Sequence, residues 1–268
     1  LPENKYVHGY DQRESIRLKD QADTLTSLLH GDTAYPKGSL VLEAGCGVGA
    51  QSVILASQSP DAKITSMDIS PSSILKAQER INAEKIKNIT FLQGDIFNLP
   101  FEEESFDHVF VCFVLEHLKD PVLALKKLKK ILKKGGSLTV IEGDHDTSVF
   151  HPYSDDASKT IDCLVKLQAK AGGNALIGRE LYPVISNAGF NDISVSPRVV
   201  YADESLPHMV EGFILNTFNA MVRGIRDEAL SSGMIDAATF DKGIADLDKC
   251  AQKGGTFSYT FYKAVGYK

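Results

Sequence analysis

The stretch Val41-Leu-Glu-Ala-Gly-Cys-Gly-Val-Gly-Ala50 decides how the rest of the chain is read. An apolar run and one acid, Glu43, lead into glycines at alternate positions, Gly45, Gly47 and Gly49. Glycine tolerates positive φ and has no Cβ, so such a turn lets the backbone approach a bound group closely. The loop fits two templates. Gly45, Gly47 and Ala50 satisfy the dinucleotide pattern G-x-G-x-x-G/A; Glu43, Gly45, Gly47 and Gly49 satisfy E-x-G-x-G-x-G. The residues that follow separate the two.

Around the loop, apolar and amphipathic segments alternate. "GSLVLEAG" reads as a short buried strand and "QSVILASQ" as the helix that the loop opens. "AKITSMDIS" is a second strand, and Ser70-Pro71 gives a cap and a first-turn proline to a helix running through Glu84. "NITFLQGDIF" is a third strand, and the unbroken run Val109 to Val114 suits a fourth, covered on both faces. Asp120-Pro121 starts a lysine-bearing helix that ends at "KKGGS", where cations and glycine complement the helix dipole and the left-handed cap. "SLTVIEGDH" is the fifth strand. Five alternations predict an α/β fold: a doubly wound, mostly parallel sheet with helices on both faces.

Beyond His145 the rhythm changes. "DDASKTIDCLVKLQAKAGG" reads as helix, "RELYPVISNAGF" as helix ended by Gly189, and "NDISVSPRVV" as a sixth strand. Helical sequence runs from about Pro207 to Lys253, and "GTFSYTFYKAVGYK" is a seventh strand. Ahead of the loop, "DQRESIRLKDQADTLTSLLH" opens with Asp11 and Glu14 at capping-box spacing. Leu18, Ala22, Leu25 and Leu29 then recur at helical period.

In a doubly wound sheet, ligands bind beyond the carboxyl ends of the strands. The first such end holds Glu43 to Gly49. The second holds Asp68, 25 residues after Glu43 and placed to bond ribose hydroxyls. The third holds Gly94, Asp95 and Ile96, with an acid able to accept from an exocyclic amine; the fourth holds Phe113 onward, with Glu116 and His117. Acids in place of a phosphate-binding lysine suit a cofactor with no phosphate and with cationic groups, such as S-adenosylmethionine.

At these residues the chain resembles the class I S-adenosylmethionine-dependent methyltransferases, and is most similar in texture to their small-molecule, quinone-biosynthesis-type members. The matching stretches are "VLEAGCGVG", Asp68, "GDIFNLPF", "SFDHVFVCFVLEHLKDP" and "LKKGGSLTVIE", in order across residues 40–142. "FYKAVG" fits the family's last, antiparallel strand. The resemblance implies a seven-stranded, Rossmann-like sheet with helical lid additions and S-adenosylmethionine as cofactor. It also implies roles. Gly45, Cys46, Gly47 and Gly49 would contour around the methionine moiety, with Glu43 orienting the loop and the cofactor's amino end. Asp68 would hold the ribose, with Ile69 beside the adenine and Gly94, Asp95 and Ile96 flanking its other side. The backbone near Phe113 would meet the amino-acid tail, and Tyr10 and Arg17 of the first helix would approach the cofactor. With no internal repeat or low-complexity linker, residues 1–268 are expected to form a single methyltransferase domain. Its parts are a cap helix (1–38), a cofactor-binding core (39–145) and a substrate-side half (146–268) with a helical insertion at about 201–255.

If the methyl acceptor is an oxygen or an acidic carbon, a base must remove a proton, and His117, Glu142 and His145 are the candidates. An amine or a pre-formed enolate needs none. Met209, Phe213, Leu215, Phe218 and Met221 read as lid core, or as the lining of an apolar acceptor pocket. The bulk properties narrow the partners. A formal charge of −6 argues against a general grip on nucleic acid. No apolar run approaches the roughly 20 residues a membrane span needs. The widely spaced Cys46, Cys112, Cys163 and Cys250 form no C-x-x-C pair, so no metal site is expected. "LPENKYVHGY" has neither initiator Met nor leader layout, and a reducing cytoplasm is the expected setting. The rival readings are an NAD(P)-dependent oxidoreductase, a protein or nucleic-acid methyltransferase, and a binding protein that keeps the fold without catalysis.

Overall fold

The computed structural model describes residues 12–268. Its strands are β1 (Leu40–Ala44), β2 (Lys63–Asp68), β3 (Ile89–Gln93), β4 (Phe106–Cys112), β5 (Leu132–His151), β6 (Asn191–Asp203) and β7 (Thr256–Tyr267). They form one sheet in the order β3-β2-β1-β4-β5-β7-β6. The pairs β1–β2, β2–β3, β1–β4 and β4–β5 are parallel. β7 runs against β5. Gly135 N, early in β5, donates to Lys268 O just past the end of β7 (3.2 Å), whereas Thr260 N, early in β7, donates to Thr147 Oγ1 late in β5 (2.9 Å). The predicted seven-stranded, mostly parallel sheet is therefore the observed one. Chain order reverses at β1, which lies between β2 and β4, so the glycine loop leaves the sheet at the switch point.

The helices between the strands are α1 (Gln12–His30), α2 (Ala50–Gln58), α3 (Pro71–Ala83), α4 (Pro121–Ile131), α5 (Asp155–Lys170) and α6 (Leu181–Asn187). Ser70 Oγ accepts from Ser73 N at the start of α3, and Asp120 Oδ1 accepts from Leu123 N at the start of α4. Both caps stand where the sequence places them. α1 buries Ala22, Leu25 and Leu29 of the predicted period, while Leu18 is half-buried. Tyr10 and Asp11 lie outside the described residues.

The chain divides into two compact units. One comprises Thr26–Gly143, Ile177–Arg198 and Tyr262–Lys268. Its core packs Leu42, Val109, Val111, Leu138 and Val140 of the central strands with Leu125 and Leu128 of α4 and Leu181 and Ile185 of α6. Lys263 Nζ and Arg198 Nη2 both reach Asp32, tying the residues after α1 to β7 and β6 (2.5 Å each). The other unit comprises the described residues up to Leu25, with Asp144–Leu176 and Val199–Phe261. There, α5 packs on the helix Ala237–Lys249, joined by Ser154 Oγ to Asp246 Oδ2 (2.6 Å) and Lys242 Nζ to Asp156 Oδ2 (2.9 Å).

Three departures from the sequence reading have a physical cause in the structure. β4 stops at Cys112 rather than Val114, because Phe113 takes a positive φ of 58° and turns the chain. α4 stops at Ile131, before the lysine-glycine run. Leu132 is extended and fully buried and pairs with Phe106, and a register shift precedes the next pair. Gly135 is left-handed, as a cap would be, but it serves this irregular strand start rather than the helix end. The third departure is the run Val210–Asn219, which winds as a π-helix. Thr217 Oγ1 bonds to Gly212 O, five residues back (2.7 Å). Phe213 and Phe218, also five apart, share the core with Phe257 and Tyr259.

Gly49 caps α2 at φ 78°, and a Cβ there would stand 2.8 Å from Ala77 Cβ and 2.9 Å from Ala77 Cα of α3. Gly49→Ala is expected to destabilise by about 2–4 kcal/mol, combining left-handed strain with overpacking. Urea denaturation measures the loss. Adding Ala77→Gly should leave the double variant less destabilised than the two single losses together.

Candidate functional site

The glycine loop is held from beneath by a buried acid. Glu43 is 2% exposed, and its Oε2 accepts from Ser52 Oγ of α2 (2.6 Å) and from Ser66 Oγ of β2. The carboxyl thus ties β1 to the strand beside it and to the helix that follows. Burial pushes its pKa up to about 7; the two serine bonds oppose the rise and Asp68 adds to it.

The loop's amides are turned inward. Gly45 N and Cys46 N both donate to Met67 O (2.7 and 3.0 Å), Gly47 N to Asp68 Oδ2 (2.8 Å), and Gly49 N to Cys46 O (2.9 Å). A phosphate cradle needs such amides aimed at the ligand. Here four are used within the protein, and one is answered by a carboxyl. The glycines serve different ends. A Cβ on Gly45 would collide with Val114 Cγ2, and one on Gly49 would collide with Ala77. Gly47 has φ 50°, and among the described residues nothing lies within 4 Å of where a Cβ would stand, so there is open space beside its α-carbon.

Asp68 links the loop to the next two strand ends. Its Oδ1 accepts from Ser70 N (2.9 Å), and its carbonyl oxygen accepts from Gly94 N (3.0 Å). Burial raises its pKa against the pull of the Ser70, Gly47 and Ile69 amides. Ile69 is 62% exposed despite being apolar. Gly94 fits where a Cβ would lie 2.6 Å from Met67 Sδ. Asp95 Oδ1 accepts from Phe97 N (2.9 Å), and Ile96 is buried. Gly45, Cys46, Gly47, Asp68 and Gly94 therefore belong to one hydrogen-bonded group.

On the other side of β1, Phe113 N donates to Ile141 O (2.9 Å), and the chain enters a 3₁₀ turn, Leu115–His117. Glu142, fully buried at this level of β5, accepts from Val114 N (2.9 Å) and Leu115 N (2.7 Å) through Oε1. Its Oε2 is buried with no hydrogen-bond partner among the described residues. Burial holds this carboxyl well above the usual range, and Glu116 adds to the rise; the amides of Leu115, Val114 and Glu116 oppose it. His117 is half-buried, with Nε2 3.6 Å from Glu116 Oε1. His145 belongs to the other unit. It is 5% exposed, its Nδ1 lies 2.6 Å from Tyr259 Oη, and its ring stands edge-on to Phe218. Arg17 is buried and donates to Gln21 Oε1 (3.2 Å).

Sequence reasoning missed Ser52, Ser66, Val114 and Tyr259. Ser66 left a signal, a polar residue inside an apolar strand, but its pairing with Glu43 depends on strand register. Tyr259 meets His145 across 114 residues, and no local pattern announces that. All four cysteines are buried and unbridged. Among the described residues, no group of three or more His, Cys, Asp or Glu could hold a metal ion, and no helix is long and apolar enough to cross a membrane.

The family described as "Methyltransferase domain" matches residues 36–189, more than half of the chain. The chain belongs to that methyltransferase family. An uncharacterised methyltransferase of Schizosaccharomyces pombe is 33% identical over 154 residues, covering 54% of each chain. A demethylmenaquinone methyltransferase of Staphylococcus aureus is 29% identical over 139 residues, covering 52% of this chain and 57% of that one. The chain thus spans little more than half the length of these methyltransferases. Phosphoethanolamine N-methyltransferase 2 of Haemonchus contortus, solved with phosphomonomethylethanolamine and S-adenosylhomocysteine, shares the fold at 18% identity. Its TM-score is 0.58, over 96% of this chain and 58% of that one.

The Glu43 carboxyl makes stability depend on pH. A raised folded-state pKa stabilises while the group is protonated, fully so below the ordinary value of 4.5, and the contribution is lost as pH rises through about 7. Glu43→Gln should remove that dependence. Urea titrations at acid and mildly alkaline pH should show wild type losing up to about 3 kcal/mol more than the variant across this window.

Proposed function

We propose that this chain is an S-adenosylmethionine-dependent methyltransferase acting on a small-molecule acceptor. The observation that carries the reading is the combination of inward-turned loop amides with an acid at the switch point. A pyrophosphate would meet the Asp68 carboxyl and lack four of the loop's N–H donors. A nucleoside with a cationic sulfur and an ammonium group suits the same surroundings.

The residues present fit that group. The open space beside Gly47 gives room for close approach, and the loop Gly45–Gly49, with Cys46, is assigned to the methionine portion. Glu43 braces this loop. Each Asp68 oxygen accepts one backbone amide and keeps a lone pair for a ribose hydroxyl. Ile69 offers an exposed apolar side chain to one face of the adenine, with Gly94, Asp95 and Ile96 assigned to its other side. The turn at Phe113 is assigned to the amino-acid tail. When bound, S-adenosylmethionine supplies a methyl group already activated on a sulfonium.

The chain's own task is then to hold the acceptor in line and exclude water, which can account for much of the rate. Where the acceptor carries a proton, His117 is the proposed base. Glu142 is fully buried with Oε1 committed to two amides, and His145 is buried against Tyr259. His117 is partly exposed, with Glu116 beside it to orient the ring. Acceptor choice is assigned to residues 146–268. The net charge of −6 favours a small acceptor over nucleic acid, and the likeness to a demethylmenaquinone methyltransferase supports an apolar one. Four unbridged cysteines fit a reducing, cytoplasmic setting.

Calorimetric titration with S-adenosylmethionine, S-adenosylhomocysteine and NAD(H) tests the reading. Saturable binding of the two sulfur nucleotides, without NAD(H), is expected. Asp68→Ala should weaken both by at least about tenfold, the loss of one hydrogen bond to a charged group. Binding of NAD(H) alone would turn the reading to hydride transfer, and unchanged affinity in Asp68→Ala would remove Asp68 from the ribose.

A further inference from the structure

A second buried acid reaches the glycine loop through an intermediary. Glu142 Oε1 accepts from the amides of Val114 (2.9 Å) and Leu115 (2.7 Å), so it fixes the first residues of the turn after β4. The side chain of Val114 covers the α-carbon of Gly45. A Cβ on that glycine would collide with Val114 Cγ2 and stand 3.1 Å from Cγ1. Gly45 in turn hangs from Met67 O by its own amide (2.7 Å). The loop is therefore gripped from the β2 side by backbone and from the β4 side by one isopropyl group.

We propose that Glu142 is a positioning residue for the glycine loop, holding the turn after β4 so that Val114 stays packed on Gly45. Two further observations support the role. Phe113, immediately before the gripped amides, is an aromatic residue at φ 58°, a conformation that persists only where its surroundings over-determine it. The bonds from Val114 and Leu115 to Glu142, with that from Phe113 N to Ile141 O, supply the constraint. Oε2 of Glu142 is buried without a hydrogen-bond partner among the described residues, an unfavourable arrangement that calls for a reason beyond packing. Holding two consecutive amides from a neighbouring strand is such a reason, and one oxygen performs it.

The proposal rests on the cofactor reading only in its ligand-binding arm. Amide hydrogen exchange over Gly45–Gly49 and titration with S-adenosylhomocysteine are measured on wild type, Glu142→Gln, Glu142→Ala and Val114→Ala. Glu142→Ala should speed loop exchange and weaken binding, each by at least about tenfold. Glu142→Gln keeps an oxygen able to accept both amides and should stay within about threefold of wild type on both readouts. Val114→Ala should loosen the loop without touching the carboxyl. Unchanged loop exchange in a folded Glu142→Ala protein overturns the proposal, as does a Gln variant as impaired as the Ala variant. Should Glu142→Ala fail to fold, Val114→Ala with unchanged exchange overturns it alone. If wild type binds no S-adenosylhomocysteine while the exchange pattern holds, the cofactor reading falls and the positioning role stands.

Discussion

The carboxyl of Glu43, buried at the end of β1 and bonded to Ser52 and Ser66, is the constraint on which the rest of the site depends. It stands where the sheet reverses its order, so the chain leaving β1 has strands on both sides and a helix to enter within six residues. A turn that tight has no room for a side chain at Gly45 or Gly49, and its amides must find acceptors close by. Met67 O and Asp68 Oδ2 on β2 supply them. The acid beneath holds β2 and α2 at the distance this requires. A hydrogen bond contributes about 0.5–1.5 kcal/mol net, and leaving a buried partner unpaired costs about 1–3 kcal/mol. The arrangement is stable only when complete.

The same solution recurs along the carboxyl edge. Asp68 accepts from Gly47 and Ser70; Asp95 accepts from Phe97; Glu142 accepts from Val114 and Leu115. The ends of β1 to β4 are each followed by a loop whose amides need acceptors, and each time a carboxyl at the strand end, on the loop or on an adjacent strand provides one. This edge therefore carries acids, whose field disfavours phosphate and favours a cation. Burial raises the pKa of Glu43, Asp68 and Glu142, so their self-repulsion is limited while they are protonated and the field favouring a cation grows as pH rises and they ionise. Structural need and ligand charge preference arise from the same residues.

This explains what could be read from the chain alone. Gly45, Gly47, Gly49, Asp68 and Gly94 answer to backbone geometry: a positive φ, a close approach, an amide needing an acceptor. Few residue types satisfy such demands, so identity and spacing reveal them. The caps at Ser70 and Asp120 are legible for the same reason. The end of α4 was not, because the burial of Leu132 against Phe106, a tertiary term, overrides the local preference of "LKKGGS" to finish a helix. Nor was the π-helix. Phe213 and Phe218 fit a helical period well enough, and only their shared packing on Tyr259 distinguishes a five-residue spacing from a four-residue one.

The same division separates the glycine loop from the aromatic core of the other unit. A tight turn with inward amides has few backbone solutions, and they are written in glycines and acids. A core of Phe213, Phe218, Phe257, Tyr259 and Phe261 can be filled by many apolar combinations of similar volume. Such a core leaves composition but no motif. His145 shows the limit most clearly. Beside the fifth strand it reads as an available base, yet the fold surrounds it with Tyr259 and Phe218, residues whose proximity only the completed chain creates. The glycine loop is set by short-range sequence and the aromatic core by long-range packing, so one is legible from residues in order and the other only from residues in space.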